Sequence, residues 1–198
     1  MNATADPTTF DAFVEALDDL VPQMHQGRLS EAELVEQLKS PFATLVSDDV
    51  WLDEHYQLPQ YDSDVTNHLL AKAADGSWTV VSVVFPPGFK TPVHDHTIWG
   101  LVGVTRGQEH EWRYSRVDDH STPGYAELVE AEVAVNEPRS ISGLVPPDDD
   151  IHAILNPATT PSCSIHVYGG NIDDVLRHRF DPERNTVKEW RSTYMVTC

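Results

Sequence analysis

The chain has 198 residues, 40% of them hydrophobic, and its 32 acidic against 13 basic side chains give a formal net charge of −19. This length and composition allow one substantial hydrophobic core, so we expect a single domain over residues 1–198. The negative charge repels phosphate backbones and anionic lipid headgroups. Nucleic acid and membrane surfaces are therefore not expected partners.

Targeting and redox signals are sparse. No apolar run approaches the about 20 residues that span a bilayer, and the stretch MNATADPTTFDAF lacks the basic and apolar regions of a signal peptide. We therefore expect a cytoplasmic protein. The two cysteines, Cys163 and Cys198, imply no disulfide framework, and both are expected to be free thiols.

Residues 1–50 are predicted to form a helical N-terminal extension that covers the core. Apolar residues recur there at spacings of three and four: Phe10, Phe13, Val14, Leu17 and Leu20. Gly27 interrupts this first helix. Ser30 and Glu33 have the spacing of a capping box at the start of a second helix, which Pro41 is expected to end.

From Leu69 the texture changes to short β-rich runs such as WTVVSVVF, WGLVGVT and SCSIHVYGG, separated by turn-forming segments. Many short strands at this spacing predict a β-sandwich or barrel over residues 69–170. Residues 171–198 are expected to form a C-terminal tail around the outside. The acidic stretch at 147–150 is expected to be a solvated turn.

Two histidines one residue apart give the first chemical signal. If His94 and His96 lie on a strand, their side chains share one face, close enough for both imidazoles to reach a single ion. The pair alone leaves open a polar strand edge with two solvated histidines.

The glycines around this pair narrow the choice. The spacing of Gly88, His94, His96, Gly100 and Gly107 resembles the first cupin motif, G-x5-H-x-H-x3-E-x6-G, at every position except the glutamate, where Gly100 stands. The resemblance implies a cupin fold. This is a mainly β class, a double-stranded β-helix or jelly-roll barrel, here with N-terminal α-helices.

Part of the second cupin motif, P-x-G-x2-H-x3-N, is matched by Pro147, His152 and Asn156, with Asp149 in place of the glycine. In cupins the two motifs face each other, so the resemblance implies that His152 completes a metal site with His94 and His96. Three imidazoles form a neutral ligand set, unlike the two-histidine, one-carboxylate triad of many non-haem iron oxygenases. A metal-free barrel remains the alternative.

Ser164, His166 and Tyr168 alternate along one predicted strand, so their side chains share a face. Hydroxyl, imidazole and phenol in this order can form a hydrogen-bond relay that holds the tyrosine hydroxyl near a bound substrate or dioxygen. An exposed polar strand face is the alternative.

Together, TPVHDHTIWGLVGVTRGQE, His152 and SIHVYGG resemble the thiol dioxygenase family of cupins, the cysteine and 3-mercaptopropionate dioxygenases, over about residues 69–170. The resemblance implies Fe(2+) as cofactor and oxidation of a small thiol by O2 to its sulfinic acid. Gly100 stands where animal cysteine dioxygenases carry the cysteine that crosslinks to the active-site tyrosine. Tyr168 is therefore expected to be uncrosslinked.

The same resemblance bears on the substrate. Cysteine-specific members have an arginine ahead of the first motif, where this chain has Asn67, and mercaptopropionate-type members carry an arginine at the position of Arg177. We therefore expect 3-mercaptopropionate or another mercaptocarboxylate, with Asn67 and Arg177 binding the carboxylate. Cysteine dioxygenase, a different iron or manganese cupin dioxygenase, and a non-catalytic ligand-binding cupin remain alternatives, and Arg177 could instead be a surface residue. The oligomeric state stays open.

Overall fold

The computed structural model describes residues 7–47, 49–60, 64–191 and 195–196. Helix α1 covers Pro7–His25, helix α2 covers Glu31–Leu45, and a 3-10 helix covers Glu54–Gln57. The described part of the chain has twelve strands: β1 Thr66–Lys72, β2 Thr79–Phe85, β3 Val93–His94, β4 Gly100–Arg106, β5 Glu109–Arg116, β6 Leu128–Asn136, β7 Ile141–Leu144, β8 Ile151–Leu155, β9 Ser162–Tyr168, β10 Arg177–Asp181, β11 Thr186–Trp190 and β12 Met195–Val196.

The strands form two six-stranded sheets. Sheet 1 has the order β12-β1-β2-β9-β4-β7, and sheet 2 has the order β11-β10-β3-β8-β5-β6. Neighbouring strands run antiparallel except β1 and β12. This architecture of two mainly antiparallel sheets with helices at the N-terminal end confirms the predicted mainly β class with N-terminal α-helices.

Helix α2 begins as predicted but ends later. The Ser30 side chain accepts from the Glu33 amide over 3.2 Å, and the Glu33 carboxylate accepts from the Ser30 amide over 2.8 Å, which completes the capping box. The expectation that Pro41 ends the helix is wrong, because α2 continues to Leu45. Phe42 and Leu45 are fully buried. Burying such side chains contributes about 1.5–3 kcal/mol each, which offsets the about 3 kcal/mol that an internal proline costs a helix.

Helix α2 packs against one face of sheet 1, where two glycines allow a close approach. A Cβ atom at Gly103 would lie 2.8 Å from Cε1 of Phe42, and one at Gly143 would lie 2.8 Å from Cγ1 of Val35. The largest apolar cluster joins both helices to this face of the sheet. The other face of sheet 1 is thereby left to form a cavity with sheet 2.

The expectation that residues 171–198 wrap the outside is wrong for 177–190, which add two strands to sheet 2. Strand β10 pairs with β3, with Arg179 opposite His94 and the half-buried Val93 opposite the buried Phe180. Strand β11 pairs with β10 and extends sheet 2. These strands cover an edge of β3 whose backbone groups would otherwise lack partners.

Two smaller expectations concern membranes and thiols. None of the described helices is long and apolar enough to cross a membrane. Cys163 is a buried free thiol on β9, as expected. Cys198 lies outside the described residues.

Candidate metal centre

Three histidines from the two predicted motifs converge between the sheets. His94 on β3 stands opposite His152 on the neighbouring strand β8. One ring nitrogen from each of His94, His96 and His152 lies within 4.8 Å of the others, and all three side chains are buried. Among the described residues, these three histidines are the group of three or more side chains that could hold a metal ion, and the group contains no carboxylate.

His96 reaches the site by a different route from the one the alternation predicts. Strand β3 ends at His94, so His96 lies beyond it. Oδ2 of Asp150 accepts hydrogen bonds from the amide of His96 over 3.2 Å and from that of Thr97 over 2.8 Å. Asp150 is only 3% exposed, so the acidic stretch is not simply a solvated turn. Its last carboxylate fixes the turn that carries His96.

Asp95, between the two histidines, belongs to another contact. Its carboxylate accepts from the amide of His178 on β10 over 2.6 Å and contacts Nδ1 of His178 over 2.6 Å. His94 and His96 line the cavity, whereas Asp95 does not. The segment therefore keeps the predicted alternation of directions even though only part of it is a strand.

Hydrogen bonds at Nδ1 orient two of the three rings. Nδ1 of His94 lies 2.9 Å from the carbonyl oxygen of Pro92, and Nδ1 of His152 lies 2.8 Å from Oε1 of Glu111. Each nitrogen donates its proton to an oxygen acceptor, which leaves the Nε2 lone pair available to an ion.

Glu111 is held as an anion behind His152. Burial alone would raise the pKa of Glu111, but hydrogen bonding and charge from His152, with further contributions from Arg113 and Asn136, lower its pKa to about 2. Oε2 also accepts from Nδ2 of Asn136 over 2.9 Å and from Oγ of Ser142 over 3.0 Å. This network fixes the orientation of the His152 ring.

The donor set fits a transition-metal ion. Burial, together with neighbouring His152 and Arg177, lowers the pKa values of His94 and His96 well below the ordinary value, so both rings are neutral at physiological pH. Nε2 of His96 lies 2.9 Å from Nε2 of His152. Two nitrogens bound at about 2.0–2.1 Å to one ion lie about 3–4 Å apart, so these atoms need only small shifts to share it.

Tyr168, His166 and Ser164 form the predicted relay next to the histidines. The Tyr168 hydroxyl lies 2.8 Å from Nδ1 of His166, and Nε2 of His166 lies 2.9 Å from Oγ of Ser164. All three are buried, so the alternative of an exposed polar face is wrong. Burial lowers the pKa of His166 to about 3 and raises that of Tyr168 above its ordinary value, so both side chains are neutral. The Tyr168 ring stacks on His96 with centroids 5.5 Å apart.

Gly100 lies directly opposite Tyr168 in the pairing of β4 with β9. A Cβ atom at Gly100 would lie 3.6 Å from Cδ1 of Tyr168. A cysteine at this position would place its sulfur beside the phenol ring, whereas Gly100 offers no thiol. An uncrosslinked Tyr168 stays a prediction, and the geometry at Gly100 is consistent with it.

A cavity of about 140 Å³ between the sheets contains the three histidines. Of the other residues predicted for the site, Asn67, His166, Tyr168 and Arg177 also line it, and Ser164 lies one hydrogen bond behind. Its apolar wall includes Val81, Val83, Phe85, Phe89, Ile154 and Ile172. The volume suits a small molecule.

Positive charge stands at one side of this cavity. Arg177 is 4% exposed and its guanidinium lies 4.2 Å from the ring centroid of Trp190. The exposed Arg179 stacks on the same indole at 4.0 Å. The alternative in which Arg177 is a surface residue is therefore wrong. Burial lowers the pKa of Arg177, because a charged guanidinium is costly away from water.

Sequence reasoning missed four residues that shape the site. Asp150, Glu109 and Glu111 are buried acids around it, and Trp190 lines its cavity. Only the two glutamates carried a readable signal, since they alternate with His110 and Trp112 on a predicted strand. The other two depend on pairings between distant segments, which no local pattern encodes.

No family model matches the chain. Among solved structures, it is similar to a cupin superfamily protein from Desulfitobacterium hafniense DCB-2, with TM-score 0.40 and 12% identity over 58% of this chain and 84% of that one. A cupin 2 conserved barrel domain protein from Salinispora arenicola gives TM-score 0.39 and 15% identity over 59% and 83%. An oxalate oxidase gives TM-score 0.40 and 18% identity over 57% of this chain and 53% of that chain. At these TM-scores and sequence identities, the structural similarities give no evidence about function.

Proposed function

We propose that this protein is a non-haem iron dioxygenase that oxidises a small thiol with O2 to the corresponding sulfinic acid. The favoured substrate is 3-mercaptopropionate or another mercaptocarboxylate. Three buried histidines that converge without a carboxylate, beside a tyrosine hydrogen-bonded to His166, support this proposal. The reaction adds both oxygen atoms of O2 to the sulfur and needs no external reductant.

His94, His96 and His152 would hold the ion through Nε2. When bound, ferrous iron supplies the redox chemistry that joins dioxygen to sulfur. Because the group contains no carboxylate, an anionic thiolate entering the cavity meets no negatively charged ligand. Glu111 keeps the His152 ring oriented and lies behind it, away from the substrate.

The cavity provides a cation for the carboxylate end of a mercaptocarboxylate. It also provides an apolar wall for the rest of the molecule. Arg177 supplies a buried guanidinium, which a carboxylate can bind through two parallel hydrogen bonds. Asn67 on β1 adds an amide. Val83 and Ile154 form apolar surface for the intervening carbons. Tyr168 lines the same cavity, and its hydroxyl is available to hydrogen-bond to the reacting groups.

The test combines metal analysis with oxygen uptake. The purified protein, after reconstitution with ferrous iron, is expected to hold about one iron per chain, because one histidine triad has the geometry for it. It should consume O2 with 3-mercaptopropionate and yield a sulfinic acid two oxygen atoms heavier by mass spectrometry. L-Cysteine, cysteamine and catechol complete the substrate panel.

His152→Ala is expected to lose most of the iron. His110→Ala is the matched control, because His110 is a half-buried histidine on β5 that does not line the cavity. Full iron occupancy in His152→Ala would show that the third ligand is wrong. Oxygen uptake with catechol but with no thiol would favour a different cupin dioxygenase, and no uptake by the iron-loaded protein would favour a binding protein.

A further inference from the structure

Glu109 is a buried carboxyl group with no role in holding the metal. It is 1% exposed, at the start of β5, and Oγ of Ser162 donates to its Oε1 over 3.1 Å. A hydrogen bond from the Ser164 side chain also stabilises its ionised form. Gly107 makes this contact possible, because its φ of +79° carries the chain into β5 and a Cβ there would lie 2.9 Å from that of Ser162.

The contact with Ser164 connects Glu109 to the cavity. Ser164 is bonded to Nε2 of His166, and Nδ1 of His166 is bonded to the Tyr168 hydroxyl. Hydrogen bonds join Tyr168, His166 and Ser164, and Glu109 lies at the Ser164 end, where the Ser164 hydroxyl favours its ionised form. These four buried side chains form one row, with Tyr168 at the cavity and Glu109 at the opposite end. Each interior group donates one hydrogen bond and accepts one. The direction of every hydrogen bond in the row therefore follows from whether the end group carries a proton.

We propose that Glu109 is the positioning residue of this row: its protonation state sets the tautomer of His166 and thereby the direction of the Tyr168 hydroxyl. The row then has two states that differ by one proton. In each state every interior hydrogen bond is made. Because all the donors point in one direction in the first state and in the other direction in the second, one molecule cannot adopt both at once.

With Glu109 ionised, every donor points toward it. Ser164 donates to the carboxylate, Nε2–H of His166 donates to Ser164, and the Tyr168 hydroxyl donates to Nδ1 of His166. Tyr168 then presents only its oxygen lone pairs to the cavity. It is an acceptor for a proton or for a donor group of the substrate.

With Glu109 protonated, every donor is reversed. The carboxylic acid donates to Ser164, Ser164 donates to Nε2 of His166, and Nδ1–H of His166 donates to the Tyr168 oxygen. The Tyr168 hydrogen then turns into the cavity, where it is a donor. The two states are connected when Tyr168 takes up one proton from the cavity and each group passes its own proton to the next.

Few charges compete with this equilibrium. On β5 the negative Glu111 faces Glu109 and favours its protonated form. On β9 the neighbours are the Cys163 thiol, whose pKa is raised by burial and to a smaller extent by Glu109, and the neutral His166 behind Ser164. The residue opposite on β6 is the uncharged Asn136. Burial is the largest influence and raises the pKa of Glu109 to about 7.

A consequence for turnover rests on the proposed function. A thiol that ionises in the cavity must release its proton, and the row can accept it, since R–SH and the Glu109 carboxylate become R–S⁻ and the Glu109 carboxylic acid. Tyr168 is then left as a donor facing the reacting groups. The tautomer switch itself does not depend on thiol oxidation.

The test follows the imidazole nitrogens of His166 by ¹⁵N NMR in the full-length protein loaded with zinc, which keeps the spectra diamagnetic, and also in the metal-free protein. His166→Phe identifies its signals among those of the ten histidines. Between about pH 5 and pH 9, the wild type is expected to pass from the Nδ1–H to the Nε2–H tautomer with a midpoint near the pKa of Glu109, about 7.

Three variants separate the parts of the row. Glu109→Gln and Ser164→Ala are each expected to abolish the tautomer transition, the first by removing the titrating group and the second by disconnecting it. Ser162→Ala should keep the transition but move it to higher pH, because the carboxylate loses a donor. A fixed tautomer in the wild type, or an unchanged transition in Glu109→Gln or Ser164→Ala, would overturn the proposal.

The pH profile of kcat/KM provides an independent readout. Glu109→Gln is expected to lose the step near neutral pH, and Ser162→Ala is expected to shift it in the same direction as the tautomer midpoint. If no thiol is oxidised at all, the proposed function fails, while the NMR titration still decides the switch.

Discussion

Nδ1 of His152 and Oε1 of Glu111 lie 2.8 Å apart, and both side chains are buried. The carboxylate thus fixes the tautomer in which Nε2 of His152 faces the other two histidines. Arg113 contacts the same carboxylate oxygen, with its Nε 3.3 Å from Oε1. A ligand orientation at the cavity is therefore determined by groups that never contact the substrate.

Glu111→Gln is expected to weaken metal binding by about 10 to 100-fold, because an amide lacks the charge that keeps the proton on Nδ1 of His152. Competition with a chelator of known affinity measures this loss for zinc and for ferrous iron. The exposed Glu130→Gln on β6 is the control and should bind metal as the wild type does. Equal metal affinities in the wild type and both variants would show that Glu111 does not contribute to metal binding.

Tyr168→Phe is expected to retain the metal and the ring stacked on His96 but to lower turnover by about 10 to 100-fold, since only the hydroxyl at the end of the relay is lost. His166→Ala should also keep the metal and lose turnover. Iron content and initial rates on 3-mercaptopropionate are the measurements. Wild-type rates in both variants would show that Tyr168 and His166 contribute only to packing and not to turnover.

Arg177→Ala is expected to raise KM for 3-mercaptopropionate far more than for cysteamine, which has no carboxylate. The differential corresponds to the about 1.5–3 kcal/mol of a charged hydrogen bond. Arg184→Ala is the control, because Arg184 is exposed and does not line the cavity, so KM for both thiols should stay unchanged. Equal losses on both thiols would exclude Arg177 from carboxylate binding.

A wild-type comparison tests Asn67 as well. We expect a higher kcat/KM for 3-mercaptopropionate than for L-cysteine, because Arg177 and Asn67 can bind the carboxylate that both thiols share, whereas the Arg177 guanidinium repels the ammonium group of cysteine. A clear preference for L-cysteine would contradict the assignment of Asn67 and point to a different carboxylate contact.

Glu109→Gln is expected to make the protein relatively more stable at high pH. The pKa of Glu109 is raised in the folded state to about 7 from its ordinary 4.5. The stability that its protonated form contributes is fully present below pH 4.5 and is lost as the pH rises to about 7. The stability of the variant relative to the wild type should therefore rise over this range, by an upper limit of about 3 kcal/mol.

Urea unfolding at several pH values measures this difference. Glu137→Gln replaces an exposed glutamate by the same chemistry and should give a difference that does not change over this range. A Glu109→Gln difference that is likewise constant with pH would show that Glu109 is not protonated in the folded protein.

Local patterns predicted the parts of the site that are local. The capping box of α2, the alternation of Ser164 with His166 and Tyr168, and the spacing of His94 and His96 all depend on neighbours a few residues away. The later end of α2 was missed because the burial of Phe42 and Leu45 outweighs Pro41. Asp150, Trp190 and the pairing of β10 with β3 were missed because they join segments far apart in the chain.

The position of β3 has a consequence for folding kinetics. This two-residue strand lies between β8 and β10, so the histidine cluster exists only after two pairings of high sequence separation have formed. Closing such long loops costs entropy before any contact repays it, which places these pairings late in folding. We therefore expect an unfolded chain to bind metal weakly and at random through its ten histidines, with specific loading following the slowest refolding phase.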